Sequence, residues 1–210
     1  MQESSSDKFA SANMRLSVWQ VHALELQKHQ SKKNTISNDG AEKWKGLNFT
    51  DVAEDIWYAK AVNTLGSLGI ISGAGNGKFD PNRAISRAEF CTIVSRFAKV
   101  ASTVESSFDD IKDSDWYYKA VTTAASYGWV TGMNDGKFHP SKVISRAQAA
   151  TIINRMLGAA ADRSYVDSHV TNPYTDVSKT HWAYYQIMEA TIAHDHGYDK
   201  EGVEIWKGLK

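Results

Sequence analysis

Residues 79–89 read Phe-Asp-Pro-Asn-Arg-Ala-Ile-Ser-Arg-Ala-Glu, and residues 138–148 read Phe-His-Pro-Ser-Lys-Val-Ile-Ser-Arg-Ala-Gln. The two stretches belong to a longer duplication: residues 49–96 align without a gap on residues 108–155, and 22 of the 48 positions are identical. A third, degenerate copy begins at Tyr174. Repeated units bury their apolar faces against their neighbours, so the duplication predicts a tandem-repeat fold.

Each full copy predicts a helix, a glycine-rich loop and a second helix. In the first copy an apolar helical face runs from Trp57 to Leu68, and Gly69 stands where a helix commonly ends. The glycine-rich loop covers residues 70–85. A second apolar face follows at helical spacing, formed by Phe90, Ile93, Val94 and Phe97. The expected fold class is all-α, with tandem helix–loop–helix repeats and minor short β segments at the ends.

The start of each second helix carries a capping motif. Ser86 and Ser145 stand at the expected N-cap, with Glu89 and Gln148 three residues later. In such a capping box each side chain satisfies a backbone N–H group of the other residue, and the cap contributes about 1 kcal/mol. These four residues therefore have a structural explanation and are not candidates for catalysis.

The two ends of the chain resemble one another. Residues 202–209 repeat residues 40–47 at six of eight positions, so residues 14–47 read as an eroded relative of residues 181–209. The expected organisation has four parts and two polar linkers: an N-terminal helical segment with an extended tail at 1–47, a first repeat at 48–104, a second repeat at 105–163, a partial third repeat with an extended tail at 174–210, and linkers near 99–107 and 157–173.

Charge, hydropathy and cysteine content exclude several classes of protein. Lys plus Arg number 24, as do Asp plus Glu, so the chain has no basic excess to attract nucleic acid. No apolar run is long enough to span a bilayer. Cys91 is the only cysteine, which excludes an intramolecular disulfide and a cysteine-based zinc site. We expect Cys91 to be a small buried apolar residue.

Two arginines stand at the first position of a predicted helix. A cation there opposes the helix dipole, so the recurrence of Arg87 and Arg146 indicates a purpose other than helix stability. An anion at that helix start would be held by the dipole, the backbone amides and the guanidinium group together. The alternative is that each arginine pairs with a structural carboxylate, such as Asp51 or Asp110.

Aspartates and tryptophans also recur at fixed places in the copies. The aspartates follow an aromatic residue and precede a helix, as turn formers or helix caps do; they are Asp51, Asp110 and Asp176. The tryptophans start the helices on their apolar face, where core packing is the simpler expectation and a groove edge is the alternative; they are Trp57, Trp116 and Trp182.

Enzymatic motifs are absent from the sequence. The acidic residues are spread over the repeats, whereas a glycosidase needs one distinct carboxylate pair. No nucleophile elbow, P-loop or His-Glu-x-x-His motif occurs. His194 and His196 would diverge on a helix, and no third ligand is evident beside them. We therefore expect no catalytic site, no metal site and no cofactor.

The repeated pattern Phe-x-Asp-Val…Trp…Ala-Val…Gly-Ile-Ile-Ser-Gly…Gly-Lys-Phe-x-Pro…Ile-Ser-Arg-Ala-Glu resembles the S-layer homology domain. The resemblance covers residues 49–100, residues 108–159 and part of residues 174–196. It implies a non-catalytic anchor that binds secondary cell wall polysaccharide non-covalently, often through a pyruvate ketal on an amino sugar. It also implies a pseudo-threefold trimer of repeats within one chain, with a central three-helix bundle and ligand grooves between adjacent lobes.

The resemblance carries over onto named residues. It implies that Arg87 and Arg146 meet a carboxylate of the ligand. The family's Thr-Arg-Ala-Glu stands here as Ser-Arg-Ala-Glu and Ser-Arg-Ala-Gln, so the second groove loses one charge, and the third copy has no matching arginine. The repeated aspartate, tryptophan and loop glycine positions would join the arginines: Asp51, Asp110, Asp176, Trp57, Trp116, Trp182, Gly73 and Gly132.

Partners and localisation follow from the same resemblance. The expected partner is secondary cell wall polysaccharide attached to peptidoglycan, and the expected location is the bacterial cell wall or S-layer. The N-terminus lacks the segments of a signal peptide, so the chain is either cytosolic or a piece of a longer exported protein, and a piece fits a surface protein. The alternative function is an S-layer assembly module that contacts other protomers without binding glycan, and a polysaccharide-processing enzyme is a third.

Overall fold

The computed structural model describes residues 49–98 and 105–210. Its helices span Ala59–Ser67 (α1), Arg87–Ser95 (α2), Tyr118–Ser126 (α3), Arg146–Leu157 (α4), Arg163–His169 (α5) and Tyr184–Thr191 (α6). An antiparallel strand pair follows, His194–Tyr198 (β1) and Glu204–Leu209 (β2). None of these helices is long and apolar enough to cross a membrane.

The prediction of a mostly helical chain with a short β segment at the C-terminal end is confirmed. The predicted helix and extended tail within residues 1–47 lie outside the described residues. The described residues form two compact units, residues 49–144 and residues 145–210. The division falls inside the second repeat, directly before its Ser-Arg-Ala turn.

The capping boxes form as predicted. The Ser86 hydroxyl accepts the Glu89 N–H while the Glu89 carboxylate accepts the Ser86 N–H, and Ser145 with Gln148 makes the same pair of bonds. The predicted end of the first helix is also confirmed, because Gly69 follows α1 in the left-handed conformation with a φ of 69°. Local sequence rules therefore place the helix boundaries in both repeats.

The second helix of the first repeat docks on the second repeat. The Arg87 N–H donates to Lys142 O at 2.9 Å, and the Ala88 N–H donates to Pro140 O at 3.0 Å. The Ile144 N–H donates to Ile85 O at 3.0 Å, and α2 lies against α3. In the other unit α4 lies against α6 in the same way. In each unit, the helix that closes one repeat packs on the helix that opens the next.

The 145–210 unit has its own core. Val166, Tyr184 and Met188 are completely buried, and Trp206 from β2 packs among them. Val166 belongs to α5, which lies inside the stretch predicted as a linker at 157–173, so that prediction is wrong. Asp162 caps this helix by accepting the Tyr165 N–H at 3.0 Å, and burial of Val166 holds it in place.

Cys91 is buried in the 49–144 unit with 1% of its surface exposed. Burial raises the pKa of its thiol to about 12, because a thiolate would lose its hydration there. The prediction that Cys91 is a small buried apolar residue is confirmed.

Candidate functional site

Exposed tryptophans recur at the same place in all three copies. Trp57, Trp116 and Trp182 are 45%, 67% and 64% exposed. The expectation of core packing is wrong, because each helix begins two residues after its tryptophan and the indole is not on the buried face. Each repeat therefore presents a flat apolar ring to solvent beside the start of its first helix.

The neighbouring residue supports the ring in both full repeats. Trp57 meets Tyr58 edge to face with ring centroids 5.2 Å apart, and Trp116 meets Tyr117 in the same geometry at 5.2 Å. In the third copy Trp182 lies beside His181, with centroids 5.7 Å apart. An edge-to-face neighbour restricts the orientation of the indole.

Asp51 and Asp110 hold the glycine-rich loops in place. The Asp51 carboxylate accepts the N–H groups of Phe79 and Asp80, both at 2.8 Å. In the second repeat Asp110 accepts the same two groups, from Phe138 at 2.8 Å and His139 at 2.7 Å. Both aspartates thus bind a loop that lies more than twenty residues further along the chain. Asp176 is exposed, and no described residue donates such a pair of bonds to it.

These bonds stabilise the ionised carboxylates. The hydrogen bond from Phe79 is the main cause that lowers the pKa of Asp51. For Asp110 partial burial acts in the opposite direction, but the bonds from Phe138 and His139 outweigh it and lower the pKa. Both carboxylates are therefore ionised across the neutral pH range and already engaged with the protein.

Arg87 is buried in the second repeat's loop. Only 5% of it is exposed, its Nε donates to Phe138 O at 2.8 Å and its Nη2 donates to Thr131 O at 3.2 Å. The guanidinium carbon also lies 4.8 Å above the centre of the Phe138 ring. Among the described residues no carboxylate forms a salt bridge with Arg87. Burial lowers the pKa of its guanidinium, and the charge of Asp110 opposes that shift from a longer distance. The alternative of a pairing with Asp110 is therefore present only as a long-range attraction.

The first backbone N–H groups of α2 already have hydrogen-bond acceptors within the protein. The N–H groups of Arg87 and Ala88 bind carbonyls of the second repeat, and that of Glu89 binds the Ser86 hydroxyl. An anion at this helix start would have to displace them. Arg146, the equivalent residue of the second repeat, is only half-buried, so it is the more accessible of the two arginines.

The loop glycines allow close packing on an aromatic ring. A Cβ atom at Gly73 would lie 2.3 Å from Lys78 O and 2.5 Å from Phe49 Cε1, and the residue has a φ of 72°. At Gly132 a Cβ atom would lie 3.1 Å from both Gly136 O and Phe108 Cε1. Both positions therefore favour glycine because the loop packs closely on a phenylalanine ring.

A cluster of two histidines and a buried glutamate, which sequence reasoning missed, lies on the strand pair. His194 and His196 are on β1, where residues two apart share a face, so the expectation that they diverge on a helix is wrong. One ligand atom from each, together with a carboxylate oxygen of Glu204, lies within 4.8 Å of the others. The spacing His-x-His is the available sequence signal, because residues two apart share a face only when the segment is a strand.

The pKa values of two residues at this cluster are raised above their ordinary values. Burial, together with the charge of Glu204, raises the pKa of Glu189 to about 7. For His194 burial opposes the charged form, but the bonds with Glu204 and Ile192 O and the attraction of both carboxylates leave its pKa raised. A positive charge is therefore favoured between these groups.

Comparison with known protein families identifies the same two repeats. Residues 48–91 and 107–150 match the S-layer homology domain, so the two repeats belong to this family and the resemblance read from the sequence is confirmed. The chain is 30% identical over 172 residues to a cellulosome-anchoring protein of Acetivibrio thermocellus, which covers 80% of the chain and 37% of that protein.

Two further relatives are named as cell surface proteins. Cell surface glycoprotein 1 of Acetivibrio thermocellus is 29% identical over 174 residues, covering 77% of the chain and 7% of the relative. A cell surface protein of Thermoanaerobacter kivui is 34% identical over 116 residues, covering 52% of the chain and 15% of the relative. The chain thus spans well under half the length of these relatives.

Proposed function

We propose that this chain anchors its parent protein non-covalently to the bacterial cell wall by binding an acidic secondary cell wall polysaccharide. The observation that carries this function is the exposed tryptophan at the same position of every copy. A large aromatic ring left in water at three equivalent places is costly for a monomer and indicates a binding surface. Relatives named as anchoring and cell surface proteins support the same function.

We assign two roles to the candidate residues. Trp57, Trp116 and Trp182 stack on sugar rings, and Arg146 is the accessible cation for the acidic group of the ligand. Five further residues place these contacts by holding the loops and helix starts: Arg87, Asp51, Asp110, Gly73 and Gly132. Asp176, at the equivalent position of the third copy, is exposed and would contact the ligand directly.

The wider proposal follows the family. The module is non-catalytic, its location is the extracellular cell wall, and its repeats follow the pseudo-threefold arrangement with a central three-helix bundle. S-layer protomers are the alternative partner, and the same experiment distinguishes them from glycan.

Co-sedimentation with peptidoglycan sacculi tests the proposal. The purified chain is pelleted with sacculi from a Gram-positive host, before and after acid extraction of the secondary polymer. Variants Trp116→Ala and Arg146→Ala are compared with Tyr198→Ala, which removes an aromatic side chain that is 62% exposed and lies outside the two full repeats. We expect extraction to abolish pelleting, the first two variants to weaken it about tenfold or more, and the control to bind like the unaltered chain.

The outcome separates the two functions. Folded wild-type chain that stays in the supernatant, and sediments instead as concentration-dependent oligomers in an ultracentrifuge, would replace anchoring with assembly. Arg87→Ala is a poor probe of binding, because Arg87 is buried and its loss affects folding as well as the ligand.

A further inference from the structure

The strand pair at the C-terminal end carries metal-binding side chains that the proposed anchoring does not use. His194 and His196 belong to β1, and Glu204 begins β2. Glu189 reaches the same place from α6, with its Oε1 3.6 Å from His194 Nε2. Two imidazoles and two carboxylates therefore converge from three elements of the 145–210 unit.

Donor spacing in the cluster is close to that of an occupied site. Tetrahedral zinc holds nitrogen and oxygen ligands at about 2.0–2.2 Å, which places the ligand atoms about 3.4 Å from one another. His194 Nε2 lies 3.6 Å from Glu204 Oε1, and His196 Nδ1 lies 4.0 Å from the same oxygen. The His196 side chain is 39% exposed, so it has room to rotate and close the remaining gap.

The orientation of His194 is already fixed. Its Nδ1 lies 2.7 Å from Ile192 O, and because a carbonyl only accepts, Nδ1 carries the proton. Its ring stacks on Trp206 with centroids 3.7 Å apart and planes 10° from parallel. Nε2 is therefore directed at the carboxylates, and a hydrogen-bonded Nδ1–H is the arrangement that orients metal-binding histidines.

The two buried carboxylates of the cluster favour positive charge between them. The side chains of Glu189 and Glu204 are only 4% and 5% exposed, and buried carboxylates need compensating positive charge. Glu189 Oε2 accepts the Trp206 Nε1–H at 3.0 Å, and Glu204 Oε2 accepts the Ala160 N–H at 3.3 Å. A divalent ion placed between the two carboxylates would balance the negative charge of both.

We propose that His194, His196 and Glu204 bind a zinc ion, with Glu189 beside it as the second carboxylate. Imidazole and carboxylate are ligands that zinc accepts, and three protein ligands leave one coordination position open. Because its ligands come from both strands, the ion ties β1 to β2, and Glu189 connects it to α6. It would stabilise the part of the third copy that lacks the second helix of the other repeats.

Zinc titration of the full chain tests this site. The chain is freed of metal with a chelator and titrated with Zn²⁺ in competition with a chromophoric chelator. We expect one ion per chain and a loss of at least about tenfold in affinity for His196→Gln and for Glu204→Gln. His169→Gln removes an exposed imidazole from the same unit and should leave the affinity unchanged.

Cobalt substitution gives a second test of the proposed metal site, with the same variants. Co²⁺ bound to the wild type should give visible absorption bands of a four-coordinate site, and His196→Gln should lose them. His196 is partly exposed, so this variant should keep the circular dichroism spectrum of the wild type. Failure of the wild type to bind zinc, or equal affinity of His196→Gln and His169→Gln, would overturn the site and leave a protonated His194 as the balancing charge.

Discussion

Gly73 and Gly132 occupy the same position of the repeat, but a methyl group would meet different obstacles at each. Gly73 combines a φ of 72° with a backbone oxygen 2.3 Å from the added Cβ atom. Gly132 has no left-handed backbone, and its nearest neighbours would lie at 3.1 Å. The two loops therefore differ in how much they depend on glycine.

Gly73→Ala should destabilise the chain by about 2–4 kcal/mol, since left-handed strain adds to a backbone clash. Gly75→Ala is a matched control: its φ is 101° and its Cβ atom would meet nothing within 4 Å, so it carries the strain alone. Urea denaturation at neutral pH measures both. Equal midpoints for the two variants would mean that the contact with Phe49 and Lys78 is not tight.

Single residues also show how far the sequence predicts the site. The repeated positions of Trp57, Trp116 and Trp182 were found from spacing alone, but their exposure depends on helix boundaries two residues away. Asp51 and Asp110 were predicted as local turn formers, and they bind loops 28 and 29 residues further on. Such long-range bonds leave no local pattern to recognise.

At the scale of elements, α2 is held by the side chain at its first residue. Arg87 crosses to the second repeat's loop and donates to Phe138 O and Thr131 O. This contact explains why a cation stands at a helix start, where the dipole disfavours it: the arginine joins two elements instead of stabilising its own helix.

Arg87→Met should cost about 2–4 kcal/mol, because it removes buried charge-assisted bonds and leaves two carbonyls without donors. Arg155→Met, on the exposed face of α4, should cost about 0.5 kcal/mol or less. Thermal and urea unfolding monitored by circular dichroism compare the two. A cost for Arg87→Met no larger than that of the control would show that the bonds contribute nothing net.

The helices and strands also differ in how well the local sequence predicts them. The capped helices α2 and α4 were predicted from Ser-x-x-Glu and Ser-x-x-Gln, because those motifs act within one turn. The sequence does not reveal the short helix α5, since its seven residues carry little apolar pattern and only Val166 is buried. The sequence of β1 does not reveal a strand either, because the pairing with β2 is what fixes its conformation.

For the whole molecule, the stability of the fold depends on pH through Asp51 and Asp110, each of which accepts two backbone hydrogen bonds from a loop. We call these two arrangements the aspartate clamps. The folded-state pKa values of Asp51 and Asp110 lie below their unfolded values. A lowered pKa contributes stability that is fully present above the unfolded value, about 3.9, and is lost as the pH falls through the folded value. The clamps should therefore weaken only in acid.

The free energy of unfolding should fall between neutral pH and pH values below about 4, and Asp110→Asn should flatten part of that fall. The amide keeps one acceptor but cannot ionise. Urea midpoints at several pH values compare this variant with Asp176→Asn, whose carboxylate is exposed and outside any clamp. Parallel curves for Asp110→Asn and the wild type would contradict the assignment.

The overall plan of the molecule was the most predictable part. A duplication with 22 identical positions in 48 predicts tandem helices whatever the details of each copy. The division into units 49–144 and 145–210 was not predicted, because the sequence period and the packing partners do not coincide.

The docking of α2 on α3, and of α4 on α6, has a consequence for how such chains lengthen and shorten. Each full copy ends in a helix that packs on the opening helix of the next copy, and in the third copy Trp206 packs into the core. A crossover between the two Ile-Ser-Arg-Ala sequences would delete residues 87–145 and still present the same type of helix to α6. A crossover at the boundary of the sequence repeat would instead remove α2 and leave α3 without the helix that packs on it. We therefore expect recombination between copies to be tolerated best in the middle of a repeat.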